Sequence, residues 1–207
     1  MKRRPPVGVW WSALPLVCVA ALCGAWRGAR TIVENAAGSP LRIFGPAPTF
    51  TLVDQAGEPF GSDQLLGRVW VVDFIFTRCA GQCPMMSARL AALQHDLADV
   101  PALWLVSITV DPAHDDPATL SVYAARYGAR RPRWQFLTGD AGQIERLARE
   151  GFRLAFSPEG TPREPITHSS RLVLVDARGR VRGYYDAGEP GVVERLARDV
   201  RRLLREP

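Results

Sequence analysis

The hydrophobic residues of the chain form two nearly continuous apolar runs with a helical pattern between them. The runs at 69–76 and 103–110 are apolar and contain many β-branched residues, which predicts strands buried on both faces of a sheet. Between the runs, apolar residues recur at helical spacing, and Pro84 suits the first turn of the helix that this spacing predicts. The apolar positions of that helix are Met86, Leu90, Leu93 and Leu97.

Weaker patterns predict the remaining elements of an α/β fold. They indicate strands at 50–54, 134–137 and 152–156, a short helical turn at 62–67, a helix near Pro117, a helix from Asp140 to Gly151, a hairpin of the strands 171–176 and 181–185, and a last helix at 190–205. Asp115 or Asp116 is expected to cap the helix near Pro117.

This order of elements predicts a thioredoxin-like α/β fold, in which a central mixed sheet is flanked by helices. Strands alternate with helices, and a hairpin and a terminal helix follow them. We expect the run at 69–76 to be the central strand, with 103–110 and 171–175 as its neighbours, because its composition suits a position buried on both faces.

The N-terminal segment predicts a transmembrane helix. Residues 8–26 contain no charged residue and follow a basic cluster at the start of the chain. A helix of that length spans about 30 Å, the thickness of a bilayer core. Because the basic cluster precedes it, we expect the rest of the chain on the non-cytoplasmic side of the membrane, in the periplasm. A cleaved signal peptide, cut near 23–25, is the alternative. The expected organisation is a membrane anchor or signal segment at 1–30, a linker at 31–45 and one domain at 46–207.

Composition narrows the classes of function. The net charge is +5, but most basic residues are mixed with acidic ones, and no basic stripe carries interleaved aromatics, so nucleic-acid binding is not expected. Of the four cysteines, Cys18 and Cys23 lie in the apolar N-terminal segment, whereas Cys79 and Cys83 lie in the soluble part. One pair of cysteines does not make a disulfide-stapled scaffold, so this second pair is a candidate for chemistry.

Cys79 and Cys83 lie where a buried strand ends and a helix begins. Unpaired backbone N–H groups and the helix dipole at such a junction favour a thiolate, so a lowered thiol pKa is expected. A spacing of four residues brings both sulfurs toward the same side of the helix. Two thiolates suit soft metals such as Cu(I), Zn or Fe–S, and a local structural disulfide is the alternative.

A metal site needs a further ligand, and the chain contains three histidines. His95 falls on the helix after the cysteines and is expected at the surface, and His114 lies in a polar loop. His168 directly precedes the strand at 171–176. In a thioredoxin-like sheet the loop entering that strand faces the N-terminus of the cysteine-bearing helix, so His168 is the candidate third ligand.

Three motifs give the chain its resemblance to a known family. A Phe-Thr-x-Cys-x-x-x-Cys-Pro block lies at 76–84, an Asp-Pro-x-x-Asp-x-Pro block at 111–117, and a His-Ser-Ser block at 168–170. Together they resemble the Sco/SenC family in order and spacing, and the resemblance covers roughly residues 46–205. The chain departs from many relatives at Ala80, where they have proline.

The resemblance implies a thioredoxin fold, a membrane anchor, and copper held by Cys79, Cys83 and His168. It implies a copper chaperone whose partner is the copper-receiving subunit of cytochrome c oxidase, or another copper enzyme. It also implies an alternative, a thiol–disulfide oxidoreductase in which Cys79 and Cys83 are the redox-active pair and a thioredoxin-like reductant is a partner. The three intervening residues favour copper, since Cys-x-x-Cys is the usual oxidoreductase spacing.

Three other expectations concern residues near the candidate site. A peroxiredoxin-like peroxidase is a further alternative, with Arg78 or Arg171 supplying positive charge. Asp111 is a candidate for orienting a ligand by a hydrogen bond, and Asp115 for shaping its loop. Met86 is expected in the core, whereas Met85 is placed near the site without being counted as a ligand.

Overall fold

The computed structural model describes residues 40–157 and 166–206. The strands are β1 Gly45–Pro46, β2 Thr51–Asp54, β3 Pro59–Gly61, β4 Val69–Ile75, β5 Leu103–Thr109, β6 Trp134–Thr138, β7 Phe156–Ser157, β8 Thr167–His168, β9 Arg171–Val175 and β10 Arg180–Asp186. The helices are α1 Gln82–Asp96, α2 Pro117–Arg126, α3 Ala141–Arg146 and α4 Val192–Leu203. A 3-10 turn spans Ser62–Leu65, and a π-helical turn at Leu147–Gly151 continues α3.

Eight of the strands form one mixed sheet in the order β1-β10-β9-β4-β5-β6-β2-β3. Strand β4 runs parallel to β5 and antiparallel to β9, which confirms the prediction that the run at 69–76 is a central strand between 103–110 and 171–175. Strands β7 and β8 form a separate two-stranded ladder. The mixed sheet with flanking helices confirms the predicted α/β fold.

The two central strands are buried along their whole length because helical segments cover both faces of the sheet. Every residue of β4 and β5 is buried. On one face, the Phe152 ring packs edge-on against Trp70 and Phe74. On the other face, Tyr123 of α2 packs on Phe136 of β6. The continuous apolar runs of the sequence therefore reflect a sheet buried on both sides.

Two sequence predictions are wrong in detail, and a third is refined. Residues 152–156 do not form a strand, because Phe152 turns into the core and Arg153 has a positive φ of 55°, which interrupts an extended chain. Gly45, predicted to belong to a linker, pairs with Val181 at the edge of the sheet. Helix α1 begins at Gln82, so Cys83 lies inside its first turn.

The predictions for residues 1–39, including the membrane anchor, the signal peptide and most of the linker, lie outside the described residues. Within 40–157 and 166–206, no helix combines the length and the apolar character needed to span a bilayer.

Candidate metal centre

The two cysteines occupy the loop and first helical turn that follow the central strand. Cys79 is partly exposed in the loop after β4, whereas Cys83 is fully buried near the start of α1. Gly81 precedes the helix and supplies no side-chain cap. Neither sulfur is in a disulfide, so the structure shows the pair in its dithiol form.

His168 joins the two cysteines. Its Nε2 lies 3.1 Å from the Cys83 sulfur, and its Nδ1 lies 3.2 Å from the carbonyl oxygen of Ser169. Donation of the Nδ1 proton to that carbonyl leaves the Nε2 lone pair available, either for the Cys83 proton or for a metal ion. The donor atoms of Cys79, Cys83 and His168 all lie within 4.8 Å of one another. The structure thus brings together the three residues that the sequence predicts as ligands.

The expectation of a lowered thiol pKa is wrong for Cys83. Burial raises the pKa of the Cys83 thiol far above its ordinary value, and the nearby Cys79 and Asp73 raise it further. Desolvation outweighs the helix dipole here because the sulfur is fully enclosed. Cys83 is therefore a neutral thiol in the metal-free protein at neutral pH, and metal binding must displace its proton.

A buried carboxylate fixes the start of the cysteine loop. Asp115 is fully buried, and its Oδ2 accepts a hydrogen bond of 3.0 Å from the backbone N–H of Thr77. The hydroxyl groups of Thr77 and Thr109 donate to the same carboxylate. Asp115 therefore ties the loop before Cys79 to the end of β5, which agrees with its predicted role in shaping a loop. The neighbouring Asp116, not Asp115, caps α2 through the backbone N–H of Thr119.

The Asp115→Asn substitution is expected to lower the free energy of unfolding by about 1–3 kcal/mol, because the new amide group places a donor against donors in a buried position. Asp116→Asn is the matched control, and it is expected to change stability little, since asparagine is as good a helix cap as aspartate. Urea denaturation of the reduced, metal-free proteins measures both. Equal losses in the two variants would contradict the anchoring role of Asp115.

Asp111 does not orient any of the three candidate ligands. Its carboxylate accepts hydrogen bonds from Arg78 at 2.6 and 3.1 Å, and one oxygen lies 2.8 Å from Nδ1 of His114. His114 is half-exposed and stays outside the group of donor atoms, and His95 is exposed in the last turn of α1, as predicted. Arg78 is therefore already paired with a carboxylate beside Cys79.

Two residues near the candidate site were not predicted from the sequence. Gln82 lies between the cysteines, and its side-chain amide donates to the backbone carbonyl of His168 at 2.8 Å. Asp73 is fully buried in β4, although the run that contains it reads as apolar. The signals were present: Gln82 is an amide inside the cysteine motif, and Asp73 is the one acidic residue in a buried run.

These observations define an α/β protein with a compact donor set of two sulfurs and one imidazole at the end of its central strand. The sequence model of the SCO1/SenC family matches residues 45–205, and the chain belongs to this family. The SCO1 protein homolog of Bacillus subtilis is 35% identical over 155 residues, which cover 73% of this chain and 79% of that protein.

Solved structures agree with this assignment. BsSco, described as a member of the Sco family of cytochrome c oxidase assembly proteins with a disulfide switch, superimposes with a TM-score of 0.72 at 30% identity, covering 82% of this chain and 100% of that chain. Yeast Sco1 with copper bound gives a TM-score of 0.61 at 26% identity, covering 76% of this chain and 89% of that chain.

Proposed function

We propose that this protein is a copper chaperone that holds Cu(I) between Cys79, Cys83 and His168. The observation that carries the proposal is the convergence of two thiol sulfurs and one imidazole nitrogen within 4.8 Å. Thiolates are the ligands that soft Cu(I) prefers, and an imidazole completes a three-coordinate set. Copper bound to yeast Sco1, a relative with the same fold, supports this choice of metal.

The surroundings of the donors suit capture and release of a metal ion. With Nδ1 of His168 donating to the Ser169 carbonyl, the lone pair of the ring is on Nε2, which lies 3.1 Å from the Cys83 sulfur. Cys83 supplies a sulfur sheltered from solvent, whereas Cys79 is partly exposed, so a partner's ligands can reach its sulfur more readily. Copper is thus the cargo of the protein, and the exposed cysteine is its expected point of exchange with the partner's ligands.

The destination of the copper is proposed from family membership. BsSco is described as a cytochrome c oxidase assembly protein, which supports the copper-receiving subunit of that oxidase as the partner. The charge-free segment at 8–26 behind a basic cluster supports a membrane anchor with the copper site on the non-cytoplasmic side.

The His168→Ala substitution is expected to weaken Cu(I) binding by about 100-fold, the lower end of roughly 2.5–4 kcal/mol per ligand, because both thiolates remain but the third ligand is lost. Competition of the reduced protein with a chromophoric Cu(I) chelator measures the affinity. His95→Ala is the control and is expected to leave the affinity unchanged, since His95 is exposed in the last turn of α1. An unchanged affinity of the His168→Ala protein would contradict the proposed site.

Thiol–disulfide exchange is a second candidate function, and the paired free thiols favour it. Cys79 is partly exposed, so its sulfur can attack a partner's disulfide, and the Cys83 sulfur, within 4.8 Å, can then displace the partner's thiol from the mixed disulfide and leave a Cys79–Cys83 disulfide. Exchange does not require an imidazole ligand, so retention of disulfide reductase activity in the His168→Ala protein would separate it from copper binding. For the peroxidase alternative, one of its two candidate cations, Arg78, is paired with Asp111.

A further inference from the structure

Gln82 connects the cysteine-bearing helix α1 to the segment that carries His168. It is the first residue of α1 and lies between the two cysteines in the sequence. Its Nε2 donates a hydrogen bond of 2.8 Å to the backbone carbonyl of His168. This bond links the cysteine-bearing helix to a residue that is 86 positions away along the chain.

His168 lies outside the main sheet, so its position depends on local contacts. Strand β8 has only two residues, Thr167–His168, and pairs with the equally short β7. The imidazole meets the edge of the Phe76 ring, with the ring centroids 5.5 Å apart. It also contacts the Cys83 sulfur through Nε2. The Gln82 amide therefore acts on the backbone of a residue that the eight-stranded sheet does not hold directly.

We infer that Gln82 is a positioning residue that holds His168 against the cysteine pair in the metal-free protein. The inference rests on the proposed copper site and adds a residue that acts through His168 and not on the metal. Because the imidazole is already beside the sulfurs, binding of Cu(I) does not have to bring a distant ligand into place. Preorganisation of this kind raises affinity by lowering the conformational entropy lost on binding.

The hydrogen bond has the geometry for this role and no competing explanation in helix capping. A capping side chain accepts a hydrogen bond from a backbone N–H of the first helical turn, whereas the Gln82 side chain donates to the carbonyl of another segment. The side chain is only partly buried, so its amide would be satisfied by water if the bond to His168 were absent. The contact is therefore not required to satisfy a buried polar group.

The test is a double-mutant cycle in the full-length reduced protein, with Cu(I) affinity measured by chelator competition. Gln82→Leu keeps the size of the side chain and its helix propensity but removes the donor. We expect it to lower the Cu(I) affinity about fivefold, the effect of one neutral hydrogen bond. In the His168→Ala background, the same substitution is expected to change the affinity by less than about twofold, since the residue that it positions is gone.

Gln64→Leu is the matched control, because the Gln64 amide also donates to a backbone carbonyl, that of Pro59, on an exposed turn. It is expected to leave Cu(I) affinity unchanged in both backgrounds, and circular dichroism establishes that all variants are folded. Suppose that His168→Ala weakens Cu(I) binding, so that the copper site stands. If Gln82→Leu then lowers the affinity equally with and without His168, or lowers it in neither background, the inference about Gln82 is overturned. An unchanged affinity of the His168→Ala protein would overturn the copper site and the inference together.

Discussion

The Cys83→Ser substitution is expected to reduce Cu(I) affinity by on the order of a thousandfold. Structural zinc sites with four ligands gain about 10–16 kcal/mol, so each ligand contributes roughly 2.5–4 kcal/mol, and the upper end, about a thousandfold in affinity, is expected for a thiolate that holds Cu(I). A serine hydroxyl is a hard and protonated ligand that cannot replace a thiolate for Cu(I). Serine fits the space of Cys83 inside the first turn of α1, so we expect the domain to remain folded. Chelator competition measures the affinity.

The other two cysteines provide the matched controls for this prediction. Cys18 and Cys23 lie in the apolar N-terminal segment, outside the residues that form the candidate site. Serine at either position is expected to leave the stoichiometry and affinity of Cu(I) binding unchanged, whereas Cys79→Ser should resemble Cys83→Ser. Loss of copper from the Cys18→Ser or Cys23→Ser protein, with retention in Cys83→Ser, would move the binding site to the N-terminal segment.

The central part of the fold was predictable because its pattern depends on burial alone. Residues 69–76 and 103–110 are apolar at nearly every position, short and rich in β-branched residues, which is typical of strands covered on both faces. The helix after the cysteines was predictable from its apolar spacing, and Pro84 lies in its first turn as expected. These patterns are local in sequence, so they can be recognised without knowledge of the tertiary contacts.

Errors occurred where a non-local contact decides the conformation. Residues 152–156 have the composition of a strand, but Phe152 packs between Trp70 and Phe74, and the chain turns at Arg153. Gly45 forms a strand only because Val181 lies beside it. No pattern within either segment carries that information.

The grouping of the three candidate ligands was predictable, but their electrostatics were not. Soft ligands at a strand–helix junction and a histidine before a hairpin strand are recognisable from residue type and order. The pKa of Cys83 depends instead on how completely neighbouring residues exclude water from its sulfur, and burial proved stronger than the helix dipole. Non-local contacts also distinguish Asp115 from Asp116. The two are equivalent candidates for the helix cap in the sequence, but Thr77 and Thr109 donate hydrogen bonds to Asp115 in the folded protein.

Asp73 is the largest departure from the predicted pattern. It lies fully buried in the middle of β4, and neither carboxylate oxygen has a partner at hydrogen-bonding distance among the described residues. Burial raises the pKa of Asp73 from its ordinary value of about 3.8 to about 7, and the nearby Ser107 hydroxyl on β5 offsets only part of the shift. An ionised Asp73 also raises the pKa of Cys83, so the carboxyl group belongs to the electrostatic surroundings of the site.

The raised pKa of Asp73 predicts how stability depends on pH. The folded protein retains the Asp73 proton up to about pH 7, whereas the unfolded chain releases it near pH 3.8. Folding therefore binds a proton between these values, and the contribution of Asp73 to stability, fully present below pH 3.8, falls as the pH rises toward 7. A shift of this size corresponds to roughly 4 kcal/mol at full ionisation.

The Asp73→Asn protein lacks this titration, so its stability relative to the unsubstituted protein is expected to rise by roughly 4 kcal/mol between pH 4 and pH 8. Any constant cost of the buried amide cancels in this pH-dependent difference. Denaturation of the reduced, metal-free proteins across that range measures this difference, and the raised pKa of Cys83 keeps its thiol neutral throughout.

The control is Asp99→Asn, which removes an exposed ion pair with Arg201. The pKa of Asp99 is lowered in the folded protein, so the change in relative stability with pH should be weak and opposite in sign. A difference that stays flat from pH 4 to pH 8 would show that Asp73 does not titrate in this range, and its burial would then have to be matched by a compensating interaction.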